Sequence, residues 1–220
     1  MIHPATELRF INDTIGYGIV ALKPIPKGTI TWALDKLDRT FTPAQVRSLE
    51  KIYQDVLNKY TYRNAKGDLV LCWDNARFVN HSSVSNCLTT AYEFEIAIRD
   101  IAAGEELTDD YGYLNLDEPF EVVPEPGSNR RVIYPDDLLR YYPEWDEKLL
   151  SAFPEIIRVD QPLLNLLDND LQQKITSIAE GKAPMDSILN CYYRSGTQSG
   201  LNGYAHQHVS LRSPHVAYPF

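Results

Sequence analysis

Residues 77 to 87 read Arg77-Phe78-Val79-Asn80-His81-Ser82-Ser83-Val84-Ser85-Asn86-Cys87, a polar and turn-prone stretch beside a β-type run. A second stretch of this kind reads Gly104-Glu105-Glu106-Leu107-Thr108-Asp109-Asp110-Tyr111-Gly112-Tyr113. Loops held by a rigid scaffold are where proteins display their reactive groups. We therefore expect these two stretches to carry the functional residues.

Short strand patterns surround the first stretch. Apolar runs broken by glycine and proline lie between residues 8 and 34, and another run lies at 68 to 73. At 90 to 99 apolar and polar residues alternate, which indicates a strand with one buried face. This succession of short strands and turns predicts a β-rich first half.

Helical patterns occur in three segments, at residues 43–60, 136–152 and 161–179. Thr42, Pro43 and Gln45 supply the first segment with an N-cap, a proline at the first helical position and a capping-box partner. We expect a fold that is mostly β with α, in which a helical insertion spans about 42–60 and a C-terminal helical segment spans 136–190. Residues 191–220 lack periodicity and are rich in Ser, Gly, His and Asn, which predicts a flexible tail.

The charge of the chain limits its partners. Its 220 residues include 30 acidic and 21 basic side chains, a formal net charge of −9. Binding to phosphates requires clustered Lys and Arg, so we expect no direct contact with nucleic acid. A basic segment of another protein is the better electrostatic match.

The cysteines and the hydropathy pattern indicate a location. Cys72, Cys87 and Cys191 are too scattered for a disulfide framework or a zinc knuckle. No stretch approaches the roughly 18 to 20 apolar residues that a membrane-spanning helix needs. We expect a soluble cytoplasmic protein without membrane contact, or a nuclear one in a eukaryote.

Four motifs in this order resemble the signatures of the SET-domain protein lysine methyltransferase family. They are Gly16-Tyr17-Gly18, Ile25-Pro26-Lys27-Gly28-Thr29, the Asn80-His81-Ser82 stretch and the stretch from Gly104 to Tyr111. Each motif alone is a weak signal, but four in order make coincidence improbable. The resemblance covers about residues 8 to 118 and implies a SET-type β fold of small sheets, with a SET domain over residues 1–118.

The resemblance also implies an activity, the transfer of a methyl group from S-adenosylmethionine to a lysine side chain of a protein substrate. It assigns the cofactor to Gly16, Tyr17, Gly18, Asn80 and His81. Glycines lack a Cβ and so allow close approach of a ligand. Taken alone, the glycine pair would be read as a plain hairpin turn, and His81 as a buried histidine with backbone partners.

The same resemblance makes Tyr111 the catalytic tyrosine and places Asp109 and Tyr113 at the substrate channel. Whether Tyr111 acts as a general base stays open, because a phenol with a pKa of about 10 is a poor base at neutral pH. The alternative role for Tyr17 and Tyr113 is packing in the core, which is common for aromatic residues beside strands.

Two features depart from the family. Many members close their site with zinc held by four cysteines. Here Ser83 stands where one of these cysteines would lie, and the segment 119–131, where the other three would lie, contains no cysteine. We expect a zinc-less, bacterial-type member that needs no metal and has a cysteine-free linker over 119–135 in place of the zinc module. The second departure is Asp109, at a position where an aromatic residue often governs the number of methyl groups added. An aspartate there would favour a charged amine.

These departures keep a second function open, a non-catalytic SET module that binds S-adenosylmethionine or a peptide as an interaction domain. The presence of Tyr111 argues against it.

The site also needs a wall that keeps water away from the amine. We expect this wall to be an apolar helical stripe that packs beside Tyr111. The alternatives are that the stripe covers the far side of the sheet or that it forms a dimer contact. The stripe comprises Leu138, Leu139, Tyr141, Tyr142, Trp145, Leu149 and Leu150.

Overall fold

The computed structural model describes residues 1–194, so the predicted tail lies outside the described residues from position 195 onward. The strands within this part are β1 Thr6–Asn12, β2 Gly16–Ala21, β3 Ile30–Ala33, β4 Arg39–Phe41, β5 Thr61–Arg63, β6 Leu69–Leu71, β7 Asn80–His81, β8 Cys87–Thr89, β9 Phe94–Ala97, β10 Glu106–Asp109, β11 Phe120–Glu121 and β12 Val132–Ile133. The α-helices are α1 Pro43–Ser48, α2 Lys51–Tyr60, α3 Asp137–Ala152 and α4 Asn169–Ala179.

The sheet that carries the motifs, hereafter the site sheet, has the strand order β1-β2-β10-β7. Its strands β1 and β2 form an antiparallel hairpin, and β10 pairs antiparallel with β2 and parallel with β7. Ile19 of β2 and Leu107 of β10 face each other and are buried in one apolar cluster with Val79. This cluster holds the edge formed by β7 and β10 in place.

A second sheet, with the strand order β3-β9-β8, forms the centre of the larger apolar core. Its residues Leu88 and Phe94 are fully buried and cluster with Leu138, Trp145 and Leu149 of α3. The predicted helical stripe therefore packs on this second sheet. The stripe is not buried throughout, because Leu150 remains 56% exposed.

The remaining strands form two further sheets. Strands β4, β6 and β5 make an antiparallel sheet, and β11 pairs with β12 in a short ladder. Many small sheets with added helices agree with the predicted fold class. Within residues 1–194, no helix has both the length and the apolar character that crossing a membrane requires.

The predicted single helix over 43–60 is wrong, because the chain is extended at Leu49 and Glu50, whose ψ angles are 156° and 152°. The capping box at Thr42 is present, but α1 ends where the Leu49 N–H donates to the Val46 carbonyl. In α2 only Leu57 is buried. The helical spacing of apolar residues thus runs across both helices, although the chain is broken between them. Few of these residues are buried, so packing does not hold the two helices together as one.

Two further boundaries differ from the sequence prediction. The segment 90–99 is not one strand, since β9 begins at Phe94 after a turn in which Glu93 has a φ of 60°. The last helix begins at Asn169 rather than near 161, because the Asp168 side chain accepts a hydrogen bond from the Leu171 N–H and caps it there. In both cases local hydrogen bonds, rather than the spacing of the apolar residues, determine where the element begins.

Candidate active site

Strands β7 and β10 bring the two polar stretches together. In their parallel ladder Thr108 lies opposite Asn80 and Asp109 lies opposite His81. The Asn86 side chain ties them further, since its Nδ2 donates to the Glu106 carbonyl at 2.8 Å and its Oδ1 accepts from the Thr108 N–H at 2.9 Å. Residues distant in the chain thus form one continuous edge.

Tyr111 is attached to the first stretch at both ends. Its backbone N–H donates to His81 Nδ1 at 3.1 Å, and its hydroxyl donates to the Val79 carbonyl at 2.7 Å. It begins a short 3-10 turn, Tyr111–Tyr113, which the Asp110 side chain caps by accepting from the Gly112 N–H. The position of the Tyr111 ring is therefore determined by the stretch that carries Asn80 and His81.

Burial determines the charge states of His81 and Tyr111. Desolvation, and then the positive charge of Arg130, lower the pKa of His81 to about 4, so the ring is neutral at physiological pH. Since Nδ1 accepts the Tyr111 N–H, the proton belongs on Nε2. Desolvation, followed by the negative charge of Asp109, raises the pKa of Tyr111 above its ordinary value. A phenol that holds its proton this firmly is unsuited to act as a general base.

The glycine pair adjoins Asn80. A Cβ on Gly18 would overlap Glu106 Oε1 and would lie 2.8 Å from Asn80 Nδ2, so only glycine admits both side chains. Asn80 Nδ2 also donates to the Tyr17 carbonyl at 3.0 Å. Gly16 has a φ of +81°, and a Cβ built there meets nothing within 4 Å. The loop is thus open at Gly16 and occupied by protein side chains at Gly18.

The two residues predicted for the substrate channel lie beneath the site. Asp109 is 5% exposed and Tyr113 is 1% exposed, and the Tyr113 ring meets Trp145 edge-on at 5.6 Å. The Asp109 carboxyl faces the Tyr113 hydroxyl and the Glu95 carboxyl, although its Oδ1 makes no hydrogen bond of good geometry. Desolvation raises the pKa of Asp109 to about 6. Both side chains are buried, and their predicted place at the substrate channel stays a prediction.

Sequence reasoning missed the part played by residues 119–133, here called the closing segment. The Phe120 ring contacts the rings of His81 and Tyr111, with centroid distances of 5.5 and 6.1 Å. Glu125 accepts hydrogen bonds from the Ser82 hydroxyl at 2.8 Å and from the Ser83 N–H at 2.6 Å. No local pattern marks these residues, because their partners are distant in the chain.

Arg130 anchors the other end of the closing segment. Its guanidinium is paired with Asp110 and, at 2.6 Å, with Asp137 at the start of α3. The side chains of Arg130, Asp110 and Asp137 are only 12%, 3% and 2% exposed. This buried ion pair network joins the turn that carries Tyr111 to the closing segment and to α3.

No group of three or more His, Cys, Asp or Glu side chains within the described residues is arranged to hold a metal ion. Cys72 and Cys87 are buried as free thiols. Burial raises the pKa of the Cys87 thiol well above its usual range, so it is an unreactive core residue.

The comparison with known families agrees with the four motifs. Residues 16–112 match the family model described as the SET domain, a range that begins at Gly16 and includes Asn80, His81 and Tyr111. No curated protein matches the chain. The matched segment, residues 16–112, is therefore a SET domain, and the predicted SET-type fold, mostly β with α, is confirmed. This family generally comprises protein lysine methyltransferases, which use S-adenosylmethionine.

Proposed function

We propose that this protein is an S-adenosylmethionine-dependent methyltransferase that modifies a lysine side chain of another protein. The observation that carries the proposal is the double attachment of Tyr111, through its N–H to His81 and through its hydroxyl to Val79. This attachment places the tyrosine beside the residues that the family resemblance assigns to the cofactor.

The residues present fit the cofactor. Gly16 faces open space, and the Asn80 amide and the neutral His81 ring are suited to hydrogen bonds with an adenosyl group and an amino-acid tail. We expect Gly16, Tyr17, Gly18, Asn80 and His81 to hold it. When bound, S-adenosylmethionine supplies a methyl group attached to a positively charged sulfur.

Methyl transfer also requires that the amine of the substrate lysine is neutral and correctly oriented. A free lysine has a pKa near 10.4, so the site must disfavour its charged form by desolvation. The rings of Phe120 and His81 beside Tyr111 supply an apolar boundary that excludes water. The Tyr111 hydroxyl donates to Val79 and keeps its lone pairs, which can accept an N–H of the amine and orient it.

The substrate is proposed to carry its lysine in a basic segment, because the chain itself has a net charge of −9. Asp109 and Tyr113 are proposed to influence the amine from beneath the site. Their burial favours an indirect effect, since Asp109 faces Glu95 and Tyr113 in the core. The same burial is the observation that favours the second candidate, a module that binds the cofactor or a peptide without transfer.

A radiolabelled methyl transfer assay on a mixture of basic proteins tests the proposal. Wild-type protein should label substrate, and Tyr111→Phe should lower turnover at least tenfold, a loss of about 1.4 kcal/mol, with unchanged cofactor affinity. Tyr53→Phe, on the exposed face of α2, is the control and should keep full activity. Cofactor binding without labelling of any protein would instead establish the non-catalytic module.

A further inference from the structure

Glu106 is a half-buried carboxylate at the candidate cofactor site with no positive partner in the described part of the chain. Within residues 1–194 its carboxylate accepts one side-chain hydrogen bond, from Asn80 Nδ2 at 2.6 Å. The neighbouring Glu105 differs, because it forms an ion pair with Arg99 at 2.6 Å and accepts from the Ala102 N–H at 2.8 Å. One of two adjacent carboxylates is therefore neutralised within the protein, and the other is not.

The pKa values of the two carboxyl groups reflect this difference. Desolvation raises the pKa of Glu106, and only the hydrogen bond from Asn80 opposes it. Desolvation also acts to raise the pKa of Glu105, but hydrogen bonds from Ala102, Arg99 and Asn86 bring its pKa below the ordinary value. A bound cation beside Glu106 would compensate the cost of its burial.

Asn80 can offer a ligand only an acceptor. Both hydrogens of its Nδ2 are used, one by the Tyr17 carbonyl at 3.0 Å and one by Glu106 at 2.6 Å. The Asn80 Oδ1 is then the free part of the amide. Any group that binds the side chains of Asn80 and Glu106 together must donate hydrogen bonds and gains most if it is positively charged.

Glu106 also lies on the glycine side of β2. Its Oε1 occupies the space that a Cβ on Gly18 would fill, so the carboxylate adjoins the loop that the family resemblance assigns to the cofactor. The ammonium group is the one part of S-adenosylmethionine that is both a cation and a hydrogen-bond donor. Its sulfonium has no N–H, and its adenine amino group and ribose hydroxyls are neutral.

We propose that the Glu106 carboxylate and Asn80 Oδ1 form the binding site for the ammonium group of the amino-acid part of the cofactor. The inference rests on the proposed function and adds a ligand-binding residue to it. Glu106 then has two tasks. It holds the Asn80 amide in one orientation, and it supplies the negative charge that the ammonium group needs.

Calorimetric binding of two nucleosides tests this assignment, because S-adenosylhomocysteine carries the ammonium group and 5′-methylthioadenosine lacks the whole amino-acid part. Glu106→Gln removes the charge and keeps an oxygen that can accept from Asn80. It should weaken S-adenosylhomocysteine binding about tenfold, equal to about 1.4 kcal/mol, and leave methylthioadenosine binding within about twofold. Glu105→Gln is the matched control and should bind both ligands as the wild type does.

A Glu106→Asp variant tests whether the negative charge itself is responsible, because it keeps a carboxylate at this position. It should restore part of the preference for the ligand with the ammonium group. Equal weakening of both ligands in Glu106→Gln would overturn the assignment, because Glu106 would then only support Asn80. Unchanged binding of S-adenosylhomocysteine would overturn it as well. Wild-type protein that binds neither nucleoside would instead overturn the proposed function itself.

Discussion

The site sheet and the second sheet differ in what covers them. The second sheet packs against α3 in an apolar core that also includes residues of α4, and its residues Leu88 and Phe94 are completely buried. The edge of the site sheet keeps polar side chains such as Asn80 and Glu106 only half-buried, and the closing segment reaches it through a few specific contacts. We therefore expect stability to depend mainly on the second sheet and ligand binding on the edge of the site sheet.

This difference changes the role of the C-terminal helices. The apolar stripe of α3, expected to wall the site, packs in the core that the second sheet shares with Tyr113. Its link to the site is the contact of Trp145 with Tyr113 and the ion pair of Asp137 with Arg130. Removing everything after Gly127 should therefore unfold the domain rather than open it.

The largest expected effect is in the core of the second sheet. Trp145→Ala removes a buried ring from between α3 and Tyr113, and should lower the free energy of unfolding by about 3 to 5 kcal/mol. Urea denaturation measures the loss, and Leu150→Ala on the exposed side of the same helix is the control. Equal losses of unfolding free energy in the two variants would contradict the packing of only one face of α3 against the core.

An intermediate effect is expected where the two regions are joined. Arg130→Met leaves Asp110 and Asp137 buried without their cation, which should cost about 3 kcal/mol of unfolding free energy. Adding Asp110→Asn and Asp137→Asn should recover part of this loss, because no uncompensated charge then remains.

Arg130→Met should also raise the pKa of His81, because burial and the Arg130 charge together lower it to about 4 in the wild type. A histidine with a lowered pKa in the folded state stabilises the fold above its unfolded pKa of about 6.5, and this stabilisation is lost as the pH falls towards 4. An NMR titration of the His81 ring measures the shift. An unchanged pKa would contradict the proximity of Arg130.

The smallest expected effect on the fold lies at the edge of the site sheet. Asn80→Ala should change stability little, since the side chain is only half-buried, but should weaken cofactor binding by about 1 to 3 kcal/mol. Calorimetry and urea denaturation of the same variant separate the two. An Asn80→Ala variant with lowered stability but normal cofactor binding would contradict the assignment of ligand binding to the edge of the site sheet.

Much of the molecule was predictable from local patterns. The four motifs indicated the family, and their polar stretches do meet, in the ladder of β7 and β10. The strand patterns predicted β2 and β6, and the helical pattern over 136–152 predicted α3. These elements depend on residues that are neighbours in the chain, so alternation and capping residues are enough to indicate them.

The contacts of the closing segment were not predictable in the same way. Its cysteine-free composition suggested a linker, whereas Phe120 contacts His81, Glu125 holds Ser82 and Ser83, and Arg130 pairs with Asp110. The partner of Asp109 was equally hidden, because Glu95 occupies a polar position of an alternating strand. A charged residue in a sequence does not identify the groups that will face it once the chain has folded.

By itself the sequence determined the family, the fold class and the residues that meet at the junction of β7 and β10. Only the tertiary structure decided which carboxylates are neutralised. Asp110 pairs with Arg130 and Glu105 with Arg99, whereas Glu106 is bonded by the uncharged Asn80 amide. The physical reason is that motifs and periodicity are encoded in short stretches of chain. The charge state of a buried group depends instead on all the groups that folding brings within a few ångströms of it.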